Sequence, residues 1–393
     1  MNRQTKILRI VADAHIWGVE AAFSSLPGFD VQLRTLEARD INRTALSHAD
    51  VLITRSGTRV NQALIEDSPL RFAATATIGD DHYDKHDLNQ QGIVWANAAG
   101  SSTDSVIEYM LTVLLELHAR QCLDLRTATL GIIGAGRIGG GLADICTSMG
   151  IANLLNDPPR ARTEGPDCFI KLQDMLQQGD ILSLHTPLNK EGEDCSIHLL
   201  DAEKLSAFKG TGIINAGRGA CLDNAALLQW LDMDSKRFAV LDCWEEEPAA
   251  SPALLAHPQL IIGTPHIAGH SLDGKAANTL YAYRALCQWL GIEPVWHPDD
   301  SLPAPSLPLN IPCEEDAWSN LYRAATALYP IMQDDAALRG SGSEKEPDET
   351  GARFTAYRRH YPVRRGWHRS PLHFLRPNPL TLRLAQAMRI KIV

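Results

Sequence analysis

Three residues in the second half of the chain have the types and the neighbours needed for proton transfer beside a bound anion. Arg218 lies in N-A-G-R-G, Glu247 in E-E-E-P and His266 in T-P-H-I-A-G. A histidine accepts a proton near neutral pH, a carboxylate can orient the ring, and the planar fork of an arginine grips a carboxylate. Each residue alone is more often structural. Together they predict a site that takes a hydroxyl proton while holding an acid group.

A glycine-rich segment upstream predicts a dinucleotide site. Gly134, Gly136 and Gly139 form G-x-G-x-x-G directly after an apolar run and before a helical pattern, with Arg137 and Ile138 between them. In such a segment the first glycine makes a tight turn, the second admits the pyrophosphate, and the third lets helix pack on strand. The phosphates then face the N-terminus of the helix. The alternative is a glycine-rich turn without a ligand.

An acidic residue at the end of the next apolar run indicates which dinucleotide binds. Asp157 follows about 20 residues after the glycines, where a carboxylate can accept hydrogen bonds from the adenosine ribose. This predicts NAD as the cofactor. Arg160 and Arg162 lie nearby and leave NADP open, because an arginine can accommodate a 2′-phosphate.

The elements that must position these residues alternate between short apolar runs and longer helical patterns, which is typical of an α/β fold with parallel sheets. Uniformly apolar strands indicate burial on both faces of a sheet. The predicted strands are Ile7–Val11, Val51–Thr54, Phe72–Ala76, Leu130–Ile133, Leu154–Asn156, Ile181–His185, Gly212–Asn215, Phe238–Asp242 and Leu260–Ile262. Arg218, Glu247 and His266 each follow one of these strands, so we expect them to converge on one crevice.

Two long helices, about Ser102–Arg120 and Leu272–Leu290, suggest that the chain crosses twice between domains. We therefore predict a discontinuous first domain of residues 1–102 and 268–292, and a second domain of residues 103–267. Six prolines between 294 and 312 indicate an extended connector into a third domain, residues 293–393. Within it, Arg339–Ala352 is rich in Gly, Ser and acids and is expected to be a loop.

Composition excludes several classes of protein. The 393 residues are 45% hydrophobic and 21% charged, so wholesale disorder and a small disulfide scaffold are ruled out. No apolar run is long enough for a membrane span, and the eight cysteines include no C-x-x-C pair. We expect free thiols and a cytoplasmic protein. Nine arginines, one lysine and no acid lie between 353 and 393, although the chain carries a net charge of −10.

At the residues above, the sequence resembles the D-isomer-specific 2-hydroxyacid dehydrogenases over roughly Val51 to Ala282. The similarity is most specific in Ala74–His82, Asp157–Ala161 and Gly263–Lys275. The resemblance implies two Rossmann-like doubly wound domains with parallel sheets, and a small C-terminal α+β domain for dimerisation. It also implies that Arg218, Glu247 and His266 are catalytic.

The same resemblance assigns further residues. Thr186, Asp242 and Gly269 should border the nicotinamide half of NAD, and Ser56 and Thr77 should contact the substrate. His270 should also contact substrate, although this position is often Tyr in the most similar members of the family. Ser and Thr after strands otherwise cap turns.

The implied reaction is the NAD-dependent oxidation of a phosphorylated 2-hydroxy acid, 4-phospho-D-erythronate, at C2, in the pathway to pyridoxal 5′-phosphate. Alternatives are 3-phosphoglycerate or glycerate as substrate, or a non-catalytic NAD-sensing protein that resembles corepressors. We expect a homodimer and no membrane partner. We expect no nucleic acid, because a basic tail can pack on an acidic body. Histidine pairs four apart, 82 with 86 and 266 with 270, lack a third ligand, so we predict no metal.

Overall fold

The computed structural model describes residues 6–340 and 347–393, which divide into two compact units. The first unit runs up to Ser102 and resumes from Ser271 to Ala304. The second runs from Thr103 to His270 and resumes at Pro305. The three-domain division expected from the sequence, with a separate domain at residues 293–393, stays a prediction.

The strands are β1 (Lys6–Asp13), β2 (Phe29–Leu36), β3 (Val51–Thr54), β4 (Phe72–Thr75), β5 (Val94–Ala96), β6 (Thr129–Ile133), β7 (Ala152–Asn156), β8 (Ile181–Leu184), β9 (Gly212–Asn215), β10 (Phe238–Leu241), β11 (Leu260–Gly263), β12 (Leu309–Pro312) and β13 (Leu372–Leu375).

The helices are α1 (Val19–Phe23), α2 (Arg43–Leu46), α3 (Gln62–Ile65), α4 (Lys85–Gln90), α5 (Thr103–Ala119), α6 (Arg137–Met149), α7 (Pro158–Glu164), α8 (Leu172–Gln178), α9 (Ala202–Ala207), α10 (Asn224–Asp232), α11 (Pro252–Ala256), α12 (Leu272–Leu290), α13 (Ala317–Leu328), α14 (Ile331–Arg339), α15 (Pro347–Arg359) and α16 (Pro379–Ala387). Short 3₁₀ turns occupy Ala38–Asp40, Gly219–Cys221, Pro298–Asp300 and Trp367–Arg369.

The first unit is built on a five-stranded parallel sheet in the order β2-β1-β3-β4-β5. Strands β3 and β4 are buried along their whole length, as the uniformly apolar sequence predicts. The edge strand β2 was not predicted, because its sequence alternates polar and apolar residues, and only one face packs on the core. Helix α12 also belongs to this unit, with Phe72 and Trp289 packed ring to ring.

The second unit contains a six-stranded parallel sheet in the order β11-β10-β9-β8-β6-β7. The chain moves from β6 outward to β7 and then returns to the other side of β6 at β8. In open parallel sheets ligands bind where the strand order reverses in this way, at the carboxyl ends of the strands. The α/β fold with two parallel sheets is therefore confirmed.

The C-terminal segment shares a hydrophobic core with the second unit. Helix α5 is buried from Ser105 to Leu117 and packs in one cluster with α6 and with residues of α13 and α16. The two-stranded parallel sheet of β12 and β13 adds Ile311 and Phe374 to the same cluster. The segment from Pro305 is thus anchored by apolar burial, the main stabilising term in a folded domain.

The nine predicted strands are all present, with ends shifted by at most two residues. The prediction of a loop over Arg339–Ala352 is wrong for residues 347–352, which belong to α15. Residues 341–346 lie outside the described residues, but Pro347 begins α15, and Arg339 ends α14. Helix α15 forms because it buries Phe354 in a hydrophobic cluster of the second unit, and this burial outweighs its polar, glycine-containing start.

All eight cysteines are free thiols. Along the described parts of the chain, no helix combines the length and hydropathy needed to cross a membrane.

Candidate active site

The carboxyl ends of the strands in the second sheet lie in one row. Leu184 of β8 pairs with Ile133 of β6 on one side and with Asn215 of β9 on the other, and the row continues through Leu241 to Gly263. The segments that leave this edge carry the glycine-rich loop, Arg218, Glu247 and His266. Strand register therefore brings together segments that are more than 130 residues apart in sequence.

His266 and Glu247 form the expected pair. The Nδ1 atom of His266 lies 2.7 Å from Oε1 of Glu247, and the other carboxylate oxygen accepts a bond from the Trp244 N–H at 3.3 Å. Burial acts to raise the pKa of Glu247, but the neighbouring imidazole and its hydrogen bond outweigh this, so the pKa lies below its ordinary value. The carboxylate is therefore charged and able to stabilise a protonated ring.

Asp242 holds the backbone around His266. Its buried carboxylate accepts hydrogen bonds from the N–H groups of Ile267 at 2.8 Å and Ala268 at 3.1 Å, and from the Thr264 hydroxyl at 2.7 Å. His266 itself adopts a left-handed backbone with φ 51°. Because few non-glycine residues adopt this conformation, these bonds are needed to hold it. Burial raises the pKa of Asp242 despite the bonds it accepts.

Asn215 shapes the turn that presents Arg218. The amide of Asn215 is fully buried, donates to the Arg218 carbonyl at 3.0 Å and accepts from the Gly217 N–H at 3.2 Å. The Arg218 guanidinium donates to the Gly217 carbonyl at 2.9 Å, and Cys243 Sγ donates to the same oxygen at 3.2 Å. These bonds orient the Arg218 side chain from its base.

The three glycines after β6 have different surroundings, and these match their expected roles. A Cβ on Gly134, which has φ +89°, would lie 2.8 Å from the backbone of the segment after β8, and one on Gly139 would lie 2.0 Å from the Gly134 carbonyl. Gly136 has no neighbour within 4 Å of that position, and as the N-cap of α6 it has no side chain to bond the first-turn N–H groups. These N–H groups and the open space fit a pyrophosphate.

Asp157 stands where the sequence predicts a ribose ligand, and it also supports the glycine-rich loop. Its carboxylate accepts from the Ala135 N–H at 2.9 Å and from the Arg160 N–H at 3.1 Å as the N-cap of α7. A carboxylate has about four acceptor positions, so it retains capacity for ribose hydroxyls. Arg160 bonds the Ala135 carbonyl and the Glu164 carboxylate, and Arg162 bonds Asp194.

The remaining predicted cofactor residues lie at the same end of the sheet or at the start of α6. The Thr186 hydroxyl donates to Cys221 Sγ at 3.4 Å. Arg137 is exposed at the start of α6, whereas Ile138 packs on the core. Gly269 is half-buried three residues after His266. Contacts of all these residues with NAD stay predictions.

Two predicted substrate residues, Ser56 and Thr77, lie in the first unit. Thr54 and Thr75 are paired at the ends of neighbouring strands. Ser56 follows Thr54 by two residues and Thr77 follows Thr75 by two residues, so both lie at equivalent positions beyond the sheet. Ser56 is exposed, whereas the Thr77 hydroxyl donates to the Gly79 carbonyl at 2.8 Å. The third residue, His270, ends the second unit's first segment and packs edge-on against Tyr361, at 5.7 Å between ring centres. Their roles stay predictions.

Sequence reasoning missed the residues that support the site from behind. Asn215, Trp244, Thr264 and Tyr109 were not singled out, yet the Tyr109 hydroxyl donates to Thr264 at 2.8 Å and the Trp244 indole donates to the Thr264 carbonyl at 2.8 Å. Polar atoms in an otherwise apolar helix such as α5 were the available signal, since buried polar groups need partners.

Comparison with known proteins identifies the cofactor domain. Residues 113–268 match the family model described as D-isomer specific 2-hydroxyacid dehydrogenase, NAD binding domain. The cofactor expected from the sequence is thereby confirmed as NAD. Among solved structures, the fold is similar to D-lactate dehydrogenase from Aquifex aeolicus complexed with NAD and lactic acid. That match has a TM-score of 0.59 and 21% identity, and it covers 72% of this chain and 95% of the other.

Similarity to curated proteins extends over nearly the whole chain. Erythronate-4-phosphate dehydrogenase of Pseudomonas aeruginosa is 41% identical over 362 residues, which are 91% of this chain and 93% of that protein. The enzyme of the same name from Azotobacter vinelandii is 43% identical over 365 residues, with the same coverage. This chain belongs to the erythronate-4-phosphate dehydrogenase family, within the D-isomer specific 2-hydroxyacid dehydrogenases.

Proposed function

We propose that this protein oxidises 4-phospho-D-erythronate at C2 with NAD, giving (R)-3-hydroxy-2-oxo-4-phosphooxybutanoate in the pathway to pyridoxal 5′-phosphate. The observation that carries the proposal is the His266–Glu247 pair, at 2.7 Å, in a chain 41% identical over 91% of its length to an enzyme of that name. Loss of a hydride from a secondary alcohol requires a base for the hydroxyl proton, and this pair supplies one.

The hydrogen bond to Glu247 determines which atom of His266 acts. Because Nδ1 donates to the carboxylate, Nε2 carries the lone pair and accepts the proton of the C2 hydroxyl. Glu247 stabilises the charge that then forms on the ring. Arg218 offers two parallel N–H donors to the substrate carboxylate, which places C2 beside the base. The glycine-rich loop and Asp157 would hold NAD, which would supply the acceptor for the hydride that leaves C2.

The phosphate end of the substrate needs several donors. Ser56 and Thr77 follow neighbouring strand ends of the first unit, and Arg55 lies next to Ser56. Hydroxyl and guanidinium donors suit a phosphate. We assign His270 to a further substrate hydrogen bond, in place of the tyrosine hydroxyl that is often present in relatives.

We further propose a cytoplasmic homodimer that forms through residues 293–393. Support comes from several large apolar side chains of this segment that are exposed in the single chain, since their burial would favour association. They are Val295, Leu307, Leu309, Val363, Leu375, Leu380 and Val393. Light scattering on the full chain should give twice the mass of one chain, and a stable monomer would contradict the assignment.

The test of the reaction is the rate of NAD reduction with 4-phospho-D-erythronate and with 3-phospho-D-glycerate, with a coupled step that removes the 2-oxo acid. We expect a clear preference for the erythronate, and a loss of about 10²–10⁴-fold in kcat for His266→Ala. A preference for the glycerate would move the assignment to another member of the family. NAD binding without turnover of either acid would favour a nucleotide-sensing protein.

A further inference from the structure

A second histidine–carboxylate network lies in the second unit, outside the candidate active site. The Nε2 atom of His198 hydrogen-bonds to Glu245, and Nδ1 lies 3.7 Å from a carboxylate oxygen of Asp223. The three side chains are partly exposed, and none of them has a role in the proposed reaction. His198 has a left-handed backbone with φ 45°, so this non-glycine residue is held in a disfavoured conformation.

Each member of the network belongs to a different segment of the chain. The N–H of His198 donates to the Ala220 carbonyl at 2.8 Å, two residues after Arg218. Asp223 is the N-cap of α10 and accepts from the Ala226 N–H at 2.8 Å. Glu245 also accepts from the Asn224 N–H at 3.0 Å. The network therefore connects the segment after Arg218 with the segment before Glu247.

The two connected segments touch directly. A Cβ on Gly219 would lie 1.8 Å from the Trp244 carbonyl and 2.6 Å from the Glu245 nitrogen. Only glycine permits this approach. A backbone contact this close transmits a displacement of Glu245 to the residue after Arg218. The spacing of Arg218 and Glu247 thus depends on what holds Glu245 in place.

The geometry of the network favours a protonated His198 over a bound metal ion. His198, Asp223 and Glu245 offer ligand atoms within 4.8 Å of one another. However, the two ring nitrogens face different carboxylates, and a metal would need one nitrogen and both carboxylates directed to a single point. An imidazole with one nitrogen bonded to a carboxylate and the other 3.7 Å from a second carboxylate is favoured in its protonated form, because both negative charges stabilise the positive ring.

We propose that protonated His198 is a positioning residue for the reaction, because it clamps Glu245 and Asp223 and thereby sets the spacing of the Arg218 and Glu247 segments. The hydrogen bond that His198 donates to Glu245 raises the pKa of His198 against the opposing effect of burial, with Asp223 and Asp201 adding smaller contributions. Asp201 is itself bonded to Lys204. The clamp is therefore closed at low pH and released as the pH rises through the raised pKa.

The test compares His198→Gln with His257→Gln. His257 is the control, because it lies in the same unit and its Nε2 also bonds a single carboxylate, that of Asp232, at 3.2 Å, while its Nδ1 accepts from the Gln259 N–H. For His198→Gln we expect kcat/KM for 4-phospho-D-erythronate to fall about tenfold or more at pH 7, which corresponds to about 1.4 kcal/mol. The Kd for NAD should stay within about twofold. We expect wild-type kcat/KM to decline as the pH rises through the raised pKa of His198, and this decline to be absent in His198→Gln.

A second readout does not depend on the proposed function, on which the inference otherwise rests. Amide hydrogen exchange of residues 217–223 and 243–247 should be faster in His198→Gln than in wild type, and unchanged in His257→Gln. If wild type does not oxidise the erythronate but the exchange differs, the proposed function fails and the clamp stands. If His198→Gln matches the control in both kinetics and exchange, the clamp is disproved. Loss of NAD binding with the same variant would also overturn it, as a general structural defect.

Discussion

At the scale of single residues, the two carboxylates next to His266 have hydrogen-bond partners at both of their oxygens. Glu247 is bonded to His266 and to the Trp244 N–H, and Asp242 is bonded to the backbone just after His266. These bonds hold the backbone of His266 in a left-handed conformation that a free chain would seldom adopt. The direction of the imidazole follows from this backbone. The proposed base is thus oriented by the protein alone, and such preorganisation reduces the cost of positioning in active sites.

The charge of Glu247 should contribute to stability in a way that depends on pH. The folded-state pKa is lowered, so the contribution is present above the ordinary carboxyl pKa of about 4.3 and is lost as the pH falls through the folded value. Glu247→Gln should therefore lower Tm at pH 7, and the difference from wild type should shrink below about pH 4.3. Thermal denaturation between pH 3 and 8 measures this.

Glu246→Gln is the control for this experiment, because Glu246 is exposed and adjacent in sequence. We expect its Tm to follow wild type at every pH. A Glu247→Gln variant whose deficit is independent of pH would show that the carboxylate charge does not stabilise the fold.

At the scale of elements, the connection from β6 to α6 combines a tight turn with an open helix N-terminus. The N–H of Gly134 donates to the Asn156 carbonyl at 2.8 Å, and Asp157 holds the N–H of Ala135. The end of β7 therefore supports the glycine-rich loop on one side. The open position at Gly136 is left between the loop and α6, where phosphates have access to backbone donors.

Two alanine substitutions in this loop should separate folding from cofactor binding. Gly139→Ala places a methyl group 2.0 Å from the Gly134 carbonyl and should cost about 1–3 kcal/mol or more, because backbone must move. Gly136→Ala meets nothing within 4 Å, so Tm should be unchanged, while NAD binds at least about tenfold more weakly because the methyl group occupies the phosphate position. Thermal denaturation and NAD titration distinguish the two. Equal NAD affinity in Gly136→Ala and wild type would contradict the placement of the pyrophosphate.

At the scale of the whole molecule, part of the basic C-terminal segment is buried inside the second unit. Arg364 is buried, lies 3.9 Å from the centre of the Tyr329 ring, and donates to the Ala268 carbonyl at 3.0 Å. It also pairs with the buried carboxylate of Glu108 in α5 at 3.7 Å. The segment thus contacts the residues just after His266. Arg364 therefore stabilises the fold in addition to contributing positive charge.

Removing this buried cation should be far more costly than removing an exposed one. Arg364→Met removes a buried cation 3.7 Å from the buried Glu108 carboxylate and should lower the free energy of unfolding by about 3–5 kcal/mol. Arg389→Met breaks a pair of the same length with Asp104, also in α5, but both partners are exposed, and the cost should be under about 1 kcal/mol. Urea denaturation of both variants is the measurement. If the two variants lost similar free energies of unfolding, burial would not determine the strength of these ion pairs.

The sequence by itself determined the parallel-sheet architecture and supplied the residues proposed to carry the chemistry. Buried parallel strands need uniformly apolar runs, and close backbone approaches need glycine, so both leave local marks such as Ile181–Leu184 and Gly134–Gly139. The edge strand β2 left no such mark, because one of its faces is polar. The start of α15 was misread as a loop, because its stability depends on burying Phe354 rather than on helix propensity.

Only the tertiary structure decided which of these segments meet. The bonds from Asp242 to the backbone after His266, from Tyr109 to Thr264, and within the cluster of His198 join residues up to 155 positions apart. Strand order and register create these contacts, and they are set by the burial of whole faces rather than by any local pattern. A local pattern specifies how a segment folds, whereas the choice of partners depends on the free energy of the complete core.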